Sequence, residues 1–461
     1  MKTLRYIAVV AALILAGSCM IGGKYTSQTE HKDSTYVYPH TQTTDSLNLV
    51  KWSDLYKDEA LSHLIKIALD SNRNLLRAIA RVEETRERAG VVKSRIWPSI
   101  GYNGTAGTGN VGKNAEAVGA AIDGNVFQVN GFLNWELDLF GRLRHANRAA
   151  QAIYLSEVEN QRGVQVALIA QTAELYFLLR DLDNRLEIAH RTLTSRSENT
   201  RLITERFNKG YVPELDKLQA EQQEATVAAN IPDLERLIIE TENALRIIIG
   251  QNPGPIVRGL TNDQQDLGPE IPPGLPSQLL LRRPDIRAAD RLVEAQFNSV
   301  GVAKANMFPT LSLSGILGFA SPELSTLVKD EGFVAAGSAS LFGPLFEFNR
   351  NRHFKKAEEF QLKETIYSYE ETVFRAFTEV DNALYGYRSY TQQLDILNKQ
   401  VAAAAKALEL TNARYEFGYT SYLEVIIQED NLFEAELQRS FVLQRKLTSV
   451  VDLYRSLGGG W

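Results

Sequence analysis

Six histidines, one cysteine and a scatter of carboxylates are the groups from which this 461-residue chain could build a reactive centre. His31, His40, His63, His145, His190 and His353 lie far apart without metal-ligand spacing, which points to solvated surface positions for most of them. Cys19 is the only thiol, so neither an internal disulfide nor a cysteine-rich metal site is available. No glycine-rich phosphate loop follows a strand pattern. Asp285, directly after Pro284, has the position of a helix N-terminal residue favoured by the helix dipole rather than that of a catalytic acid. Glu214, Asp216 and Glu424 follow glycine turns. By themselves such carboxylates read as a solvated helix surface. The chain therefore reads as no enzyme, with no metal and no cofactor.

The chemistry open to Cys19 is acylation. Lys2 and Arg5 precede an apolar stretch, Ile7 to Ala16, which is too short for the ~20 residues a bilayer span needs. That is the pattern of a secretion signal. Leu15-Ala16-Gly17-Ser18-Cys19 resembles a lipobox, with Ala16 in place of the commoner leucine. This predicts a signal peptide over 1–18 and a covalent lipid on Cys19; the alternative is an ordinary signal peptide with a chance cysteine. Composition is globular, 44% hydrophobic and 23% charged, which argues against wholesale disorder. The net charge of -6, with no dominant basic patch, gives no reason to expect nucleic acid as a partner. Outside the signal no run of 18 apolar residues occurs, so any membrane span must be made of strands.

The elements that would hold these residues are written twice. Gly210 and Gly250 recur as Gly418 and Gly458, Arg142 as Arg350, Arg206-Phe207 as Arg414-Tyr415 and Leu215 as Leu423. At nearly the same spacing Trp97-Pro98-Ser99-Ile100 recurs as Phe308-Pro309-Thr310-Leu311. The spacing predicts a first repeat over 61–259 and a second over 276–461, with a proline-rich linker at 260–275 and an extended N-terminal segment at 19–60. Proline is absent between Arg142 and Asn208 and between Arg350 and Phe417. There, apolar residues recur at three- and four-residue steps: Leu175, Leu178, Leu182, Leu186, Ala189 and Leu193 in one copy, and Leu394, Leu397, Val401, Ala404, Leu408, Thr411 and Tyr415 in the other. Such seams predict very long helices packed side by side. Each should stop at its glycine turn, around Gly210 and Gly418, before a second helix returns. Pro232 should kink or interrupt the first returning helix.

A different rhythm precedes each long helix. From Phe127 to Leu139 odd positions are apolar and even ones polar, broken only by Phe132, which is the mark of a strand with two unlike faces. Glu136 and Asp138 on the polar face suit a wet interior. Strands are expected at 98–109, 126–139, 309–319 and 333–342, as two hairpins. Four strands cannot close a barrel in lipid, so several chains would have to share one.

Leu281-Arg282-Arg283-Pro284-Asp285-Ile286-Arg287-Ala288-Ala289, Val302-Ala303, Phe308-Pro309-Thr310-Leu311-Ser312-Leu313, Asn243-Ala244-Leu245 with Gly250 and Pro253-Gly254, and Trp52, Leu61, Leu64, Ala68-Leu69 and Asn72 together resemble the TolC-like outer-membrane efflux proteins. The resemblance covers nearly the whole mature chain and is to the lipoprotein branch that works with resistance–nodulation–division pumps. It implies a mainly helical homotrimer with a small membrane β part, a 12-stranded β-barrel continued by a 12-helix periplasmic α-barrel. It also implies outer-membrane lipid around the barrel, a periplasmic adaptor and an inner-membrane pump as partners, and a gated, non-catalytic path for exported solutes. Gly210, Glu214, Asp216, Gly418, Thr420, Ser421 and Glu424 then fall at the periplasmic aperture and adaptor contact. Some relatives carry an aspartate where Thr420 and Ser421 stand here. A second class, a periplasmic coiled-coil adaptor or structural lipoprotein, would explain the long helices and Cys19 but not the duplicated hairpins.

Overall fold

Proline-free stretches with seams at helical spacing become helices of matching length in the computed structural model, which describes residues 20–21, 23–27, 51–109, 124–267 and 282–459. Among these residues the order is α1 (Trp52–Leu55), α2 (Glu59–Ser71), α3 (Arg73–Ser94), β1 (Ser99–Gly109), β2 (Gly124–Leu137), α4 (Arg142–Asn208) and α5 (Glu214–Ile248), then α6 (Pro284–Ala305), β3 (Thr310–Ser321), β4 (Phe333–Phe342), α7 (Arg350–Glu416) and α8 (Tyr422–Ser456). The pair α4 and α5 and the pair α7 and α8 have the same lengths, 67 and 35 residues. The signal at 1–18, Cys19, His31, His40, Leu281 and the prolines from Pro269 to Pro276 lie outside the described residues.

The chain divides into two units, each drawn from both halves of the sequence. One takes Met1–Glu30, Arg81–Val158 and Ala288–Glu370 and contains a single four-stranded sheet in the order β1-β2-β3-β4, all antiparallel. Period-two alternation sorts its side chains. One face carries Ile100, Tyr102, Leu133, Trp135, Leu137, Leu311, Leu313, Leu317, Phe319 and Leu341; the other carries mainly Asn, Gln, Ser, Thr, Gly and Ala. Phe132 breaks the polar face because its ring lies over Gly101, its partner in the register, where a β-carbon would sit 2.5 Å from the ring. β1 and β4 each keep one edge unpaired within the chain.

Glu136 and Asp138 both hold the start of the next helix. β2 stops at Leu137, two residues earlier than expected, because Asp138 turns to the next helix and accepts from the backbone N–H groups of Leu143 (3.2 Å) and Arg144 (2.9 Å). Glu136 takes a bidentate grip from Arg142, at 2.6 and 2.7 Å. Both carboxylates thus neutralise the start of α4. His145 also departs from expectation: it is 0% exposed, with Nδ1 3.0 Å from Asn298 Oδ1 and Nε2 3.3 Å from the Ile21 carbonyl. Room for its ring comes from Gly301, where a β-carbon would lie 2.5 Å from Nδ1. His63, His190 and His353 are exposed, as expected.

The other unit takes His31–Ala80, Glu159–Arg287 and Glu371–Trp461, and its helices enclose a core around Leu61, Ile65, Ile169, Tyr176, Phe177, Leu245 and Val451. Asp58 is the hub at one side of it, capping α2 at Ala60 and Leu61 and accepting from the Tyr176 hydroxyl at 2.9 Å and the Leu260 N–H at 2.9 Å. Arg283, from the motif before α6, is buried; it pairs with Asp285 and Glu379, each at 2.7 Å, and donates to the Ser456 carbonyl. Pro232 does not interrupt α5. The proline is exposed while Val227 and Ile231 pack on Ala189 across the interface, so packing outweighs one lost backbone hydrogen bond.

Gly250 has φ +66, and a β-carbon there would sit 2.8 Å from the Ser71 carbonyl oxygen; at Gly210, φ +77, nothing lies within 4 Å. Gly210→Ala should therefore cost only the left-handed backbone term, about 1–2 kcal/mol. Gly250→Ala should cost clearly more, as read by thermal unfolding of the two variants side by side.

Candidate functional site

Two glycine turns, one after each long helix, are brought together by a small core. Ile203 of α4, Ala220 of α5, and Tyr422, Val425 and Ile426 of α8 are buried against one another, with Val212, Leu408 and Tyr415 packed around them. Each turn closes in the same way. Gly210 donates to the Phe207 carbonyl and Tyr211 to that of Arg206; Gly418 donates to Tyr415 and Tyr419 to Arg414. With φ of +77 and +75 the glycines supply the left-handed residue of a Schellman stop.

The expected site residues divide. Gly210 and Gly418 are the helix stops just described. Glu214 and Glu424 are exposed in the first turns of α5 and α8, where the helix N-terminus itself favours a carboxylate. Asp216 is half-buried; burial raises the Tyr415 and Tyr422 hydroxyls, and the charge of Asp216 adds a smaller push to each. Ser421 is the N-cap of α8 without a side-chain cap, and Thr420 Oγ1 is buried with no hydrogen-bond partner among the described residues. Cys19 lies outside the described residues.

Sequence reasoning missed the groups that tie the two turns. The Arg206 guanidinium lies over the Tyr415 ring at 5.4 Å, and that ring meets Tyr422 at 5.5 Å. Further up the helices Arg196, only 3% exposed, donates to Asp430 at 2.6 Å, to Gln223 Oε1 at 2.6 Å and to the Gln223 carbonyl at 3.0 Å. Glu429 accepts from Asn199 at 2.6 Å and lies 3.9 Å from Arg196. Burial pushes the Glu429 carboxyl above the ordinary range, against the pull of Arg196. A signal existed: continuing the seam past Leu193 by three residues lands on Arg196, a charge on the buried face. Tyr211, Leu215, Phe417, Tyr419 and Leu423 are also missed; they are exposed apolar groups at the turns, with Tyr211 and Leu215 recurring as Tyr419 and Leu423.

A sheet with one continuous apolar face and two unpaired edges, joined to long helices that end in paired turns, defines a membrane conduit assembled from several chains. The family model "Outer membrane efflux protein" matches residues 64–251 and 275–459, and the chain belongs to that family. It is 30% identical, over 98% of its length and 97% of the relative's, to the solvent efflux pump outer membrane protein SrpC of Pseudomonas putida. It is 26% identical to the probable outer membrane lipoprotein SilC of Salmonella typhimurium, with 100% of each covered. Its fold superposes on the open state of the Neisseria gonorrhoeae MtrE outer membrane channel with a TM-score of 0.86 at 28% identity, over 96% of this chain and 98% of that one. The protein is thus the outer-membrane channel component of a tripartite efflux system, mainly helical with a small β part, and of the trimeric barrel architecture.

Arg196→Met should destabilise the turn region by about 3 kcal/mol, because it strands Glu429 and Asp430 without their cation. Glu429 adds a pH dependence of known sign. A carboxyl whose pKa is raised on folding stabilises the folded state below its ordinary value of 4.5 and loses that contribution as pH rises through the raised value. Protection of peptides around Arg196 and Glu429, measured by hydrogen exchange corrected for intrinsic rate, should fall over that interval in the wild type. In Glu429→Gln that fall should flatten.

Proposed function

We propose that the chain is a passive conduit that catalyses nothing, accepts small organic solutes from an inner-membrane resistance–nodulation–division pump through a periplasmic adaptor, and releases them outside. The observation that carries this reading is the four-stranded sheet with an apolar face and two open edges. Sidedness of that kind suits a wall between lipid and water. The solvent efflux relative supports small organic cargo, with selection left to the pump. Recurrence of matching elements on both sides of 260–275 supports the duplication of 61–259 in 276–461.

The paired turns are the proposed gate and adaptor contact. Tyr211, Leu215, Tyr419 and Leu423 supply apolar anchors for an adaptor, while Glu214, Asp216 and Glu424 set ion preference at the aperture. Opening separates the first helix pair from the second, so it must break the contacts of Arg196 with Asp430 and of Arg206 with Tyr415. The lipid belongs on Cys19. The residues that follow it support this: Met20 packs at Gly141, Ile21 donates to the Phe140 carbonyl, and Tyr25 and Ser27 donate to Asp290 at 2.7 and 2.9 Å. Such a strap would hold a lipid chain beside the base of the sheet.

In planar bilayers Glu214→Lys and Glu424→Lys should shift selectivity from cations toward anions; unchanged selectivity in both removes these residues from the aperture. Arg206→Ala should raise the open fraction. Labelled palmitate should enter the wild type and not Cys19→Ser.

A further inference from the structure

Phe140, just after β2, stacks on Phe308, just before β3, with ring centroids 4.9 Å apart and planes at 24°. These rings close the base of the seam where β2 pairs with β3, ending at Leu137 opposite Leu311. The chain carries a second set of the same residues. Arg142 and Arg350 both open long helices, and on that spacing Phe140 corresponds to Phe348. The left-handed Gly141, φ +85, then corresponds to Asn349, φ +64. Phe308-Pro309 corresponds to Trp97-Pro98. Within one chain these counterparts do not form a covered pair: Phe348 is 82% exposed and Trp97 is 68% exposed. They flank the edges of β4 and β1 that have no partner.

We propose that Phe348 and Trp97 are one contact divided between two copies of this chain, Phe348 of one stacking on Trp97 of the next where β4 of the first pairs with β1 of the second. Strand direction allows this. Three successive antiparallel steps leave β1 and β4 opposed, so β4 beside a second β1 continues the alternation. The same correspondence sets Leu345 opposite Ile100 of the next copy, as Leu137 stands opposite Leu311; in the single chain Leu345 is wholly exposed and Ile100 largely so. Phe348 itself has φ 48, a conformation that bulky residues keep only where surrounding contacts enforce it. Phe346 meets its ring within the chain, at 4.6 Å, and a second copy supplies the further contacts. This inference rests on the multichain barrel and adds the residues that join its members.

The test is a full-length Trp97→Cys/Phe348→Cys variant in outer membranes, treated with a short bifunctional maleimide. Covalent dimers and trimers should form in the double variant, while each single variant stays at monomer mass. A Phe140→Cys/Phe308→Cys control should link within the chain and also run as a monomer. An amine-reactive cross-linker reports assembly separately. If that reagent links the double variant into trimers and the maleimide does not, the contact is wrong and the rings face lipid. If it finds only monomers in the wild type, the multichain barrel itself is wrong. Should the double cysteine variant fail to assemble, Trp97→Leu, Phe348→Leu and their combination provide the answer. Each single change should lower the temperature at which trimers dissociate in detergent, and the combination should lower it no further than the larger single effect. Additive losses overturn the contact.

Discussion

A backbone N–H or C=O without a partner is several kcal/mol too costly for hydrocarbon, and this chain presents two rows of them, along the outer edges of β1 and β4. Everything else in the structure is arranged around that constraint. The sheet has an apolar face for lipid and a face of small and polar side chains, so it suits a boundary between lipid and water rather than a soluble core. Four strands cannot remove their own edges by closing. The chain is complete as a membrane element only beside copies of itself, which is the trimeric solution of the family.

At the glycine turns the problem changes from pairing strand edges to ending long helices in water. The glycine stops at Gly210 and Gly418 satisfy the last carbonyls of α4 and α7, and the small core of Ile203, Ala220, Tyr422 and Val425 joins the turns. What distinguishes this joint from an ordinary coiled-coil seam is its charge. Arg196 and Glu429 are buried in a partnered network that is costly to break by halves, and a few turns away Arg206 rests on Tyr415. A contact set that is specific yet polar suits the gate proposed above better than a dry apolar one would.

Much of this was legible before any coordinates. Absence of proline and the spacing of the seams gave the long helices, and the recurrence of Gly210 and Gly250 as Gly418 and Gly458 gave their stops. Alternation from Phe127 located β2 because lipid on one side and water on the other leave a period of two. The misreadings share one cause: a polar residue's type does not reveal its partner. The type and alternation of Glu136 and Asp138 do not reveal that Arg142 and the start of α4 hold them. His145 looks like any surface histidine until Asn298 and Gly301 enclose it. Arg196 is an unremarkable arginine unless the seam is counted one step further. Pro232 does not interrupt α5, because the ring lies on the exposed side while Val227 and Ile231 are buried.

The central claim is that the edges of β1 and β4 pair with other copies. Hydrogen exchange of the assembled protein in lipid, resolved to Ser99–Gly109 and Phe333–Phe342, tests it most directly. Shared edges predict that these strands exchange as slowly as β2 and β3. Rapid exchange at β1 and β4, with β2 and β3 protected, would mean that the edges stay open and that the conduit is built some other way.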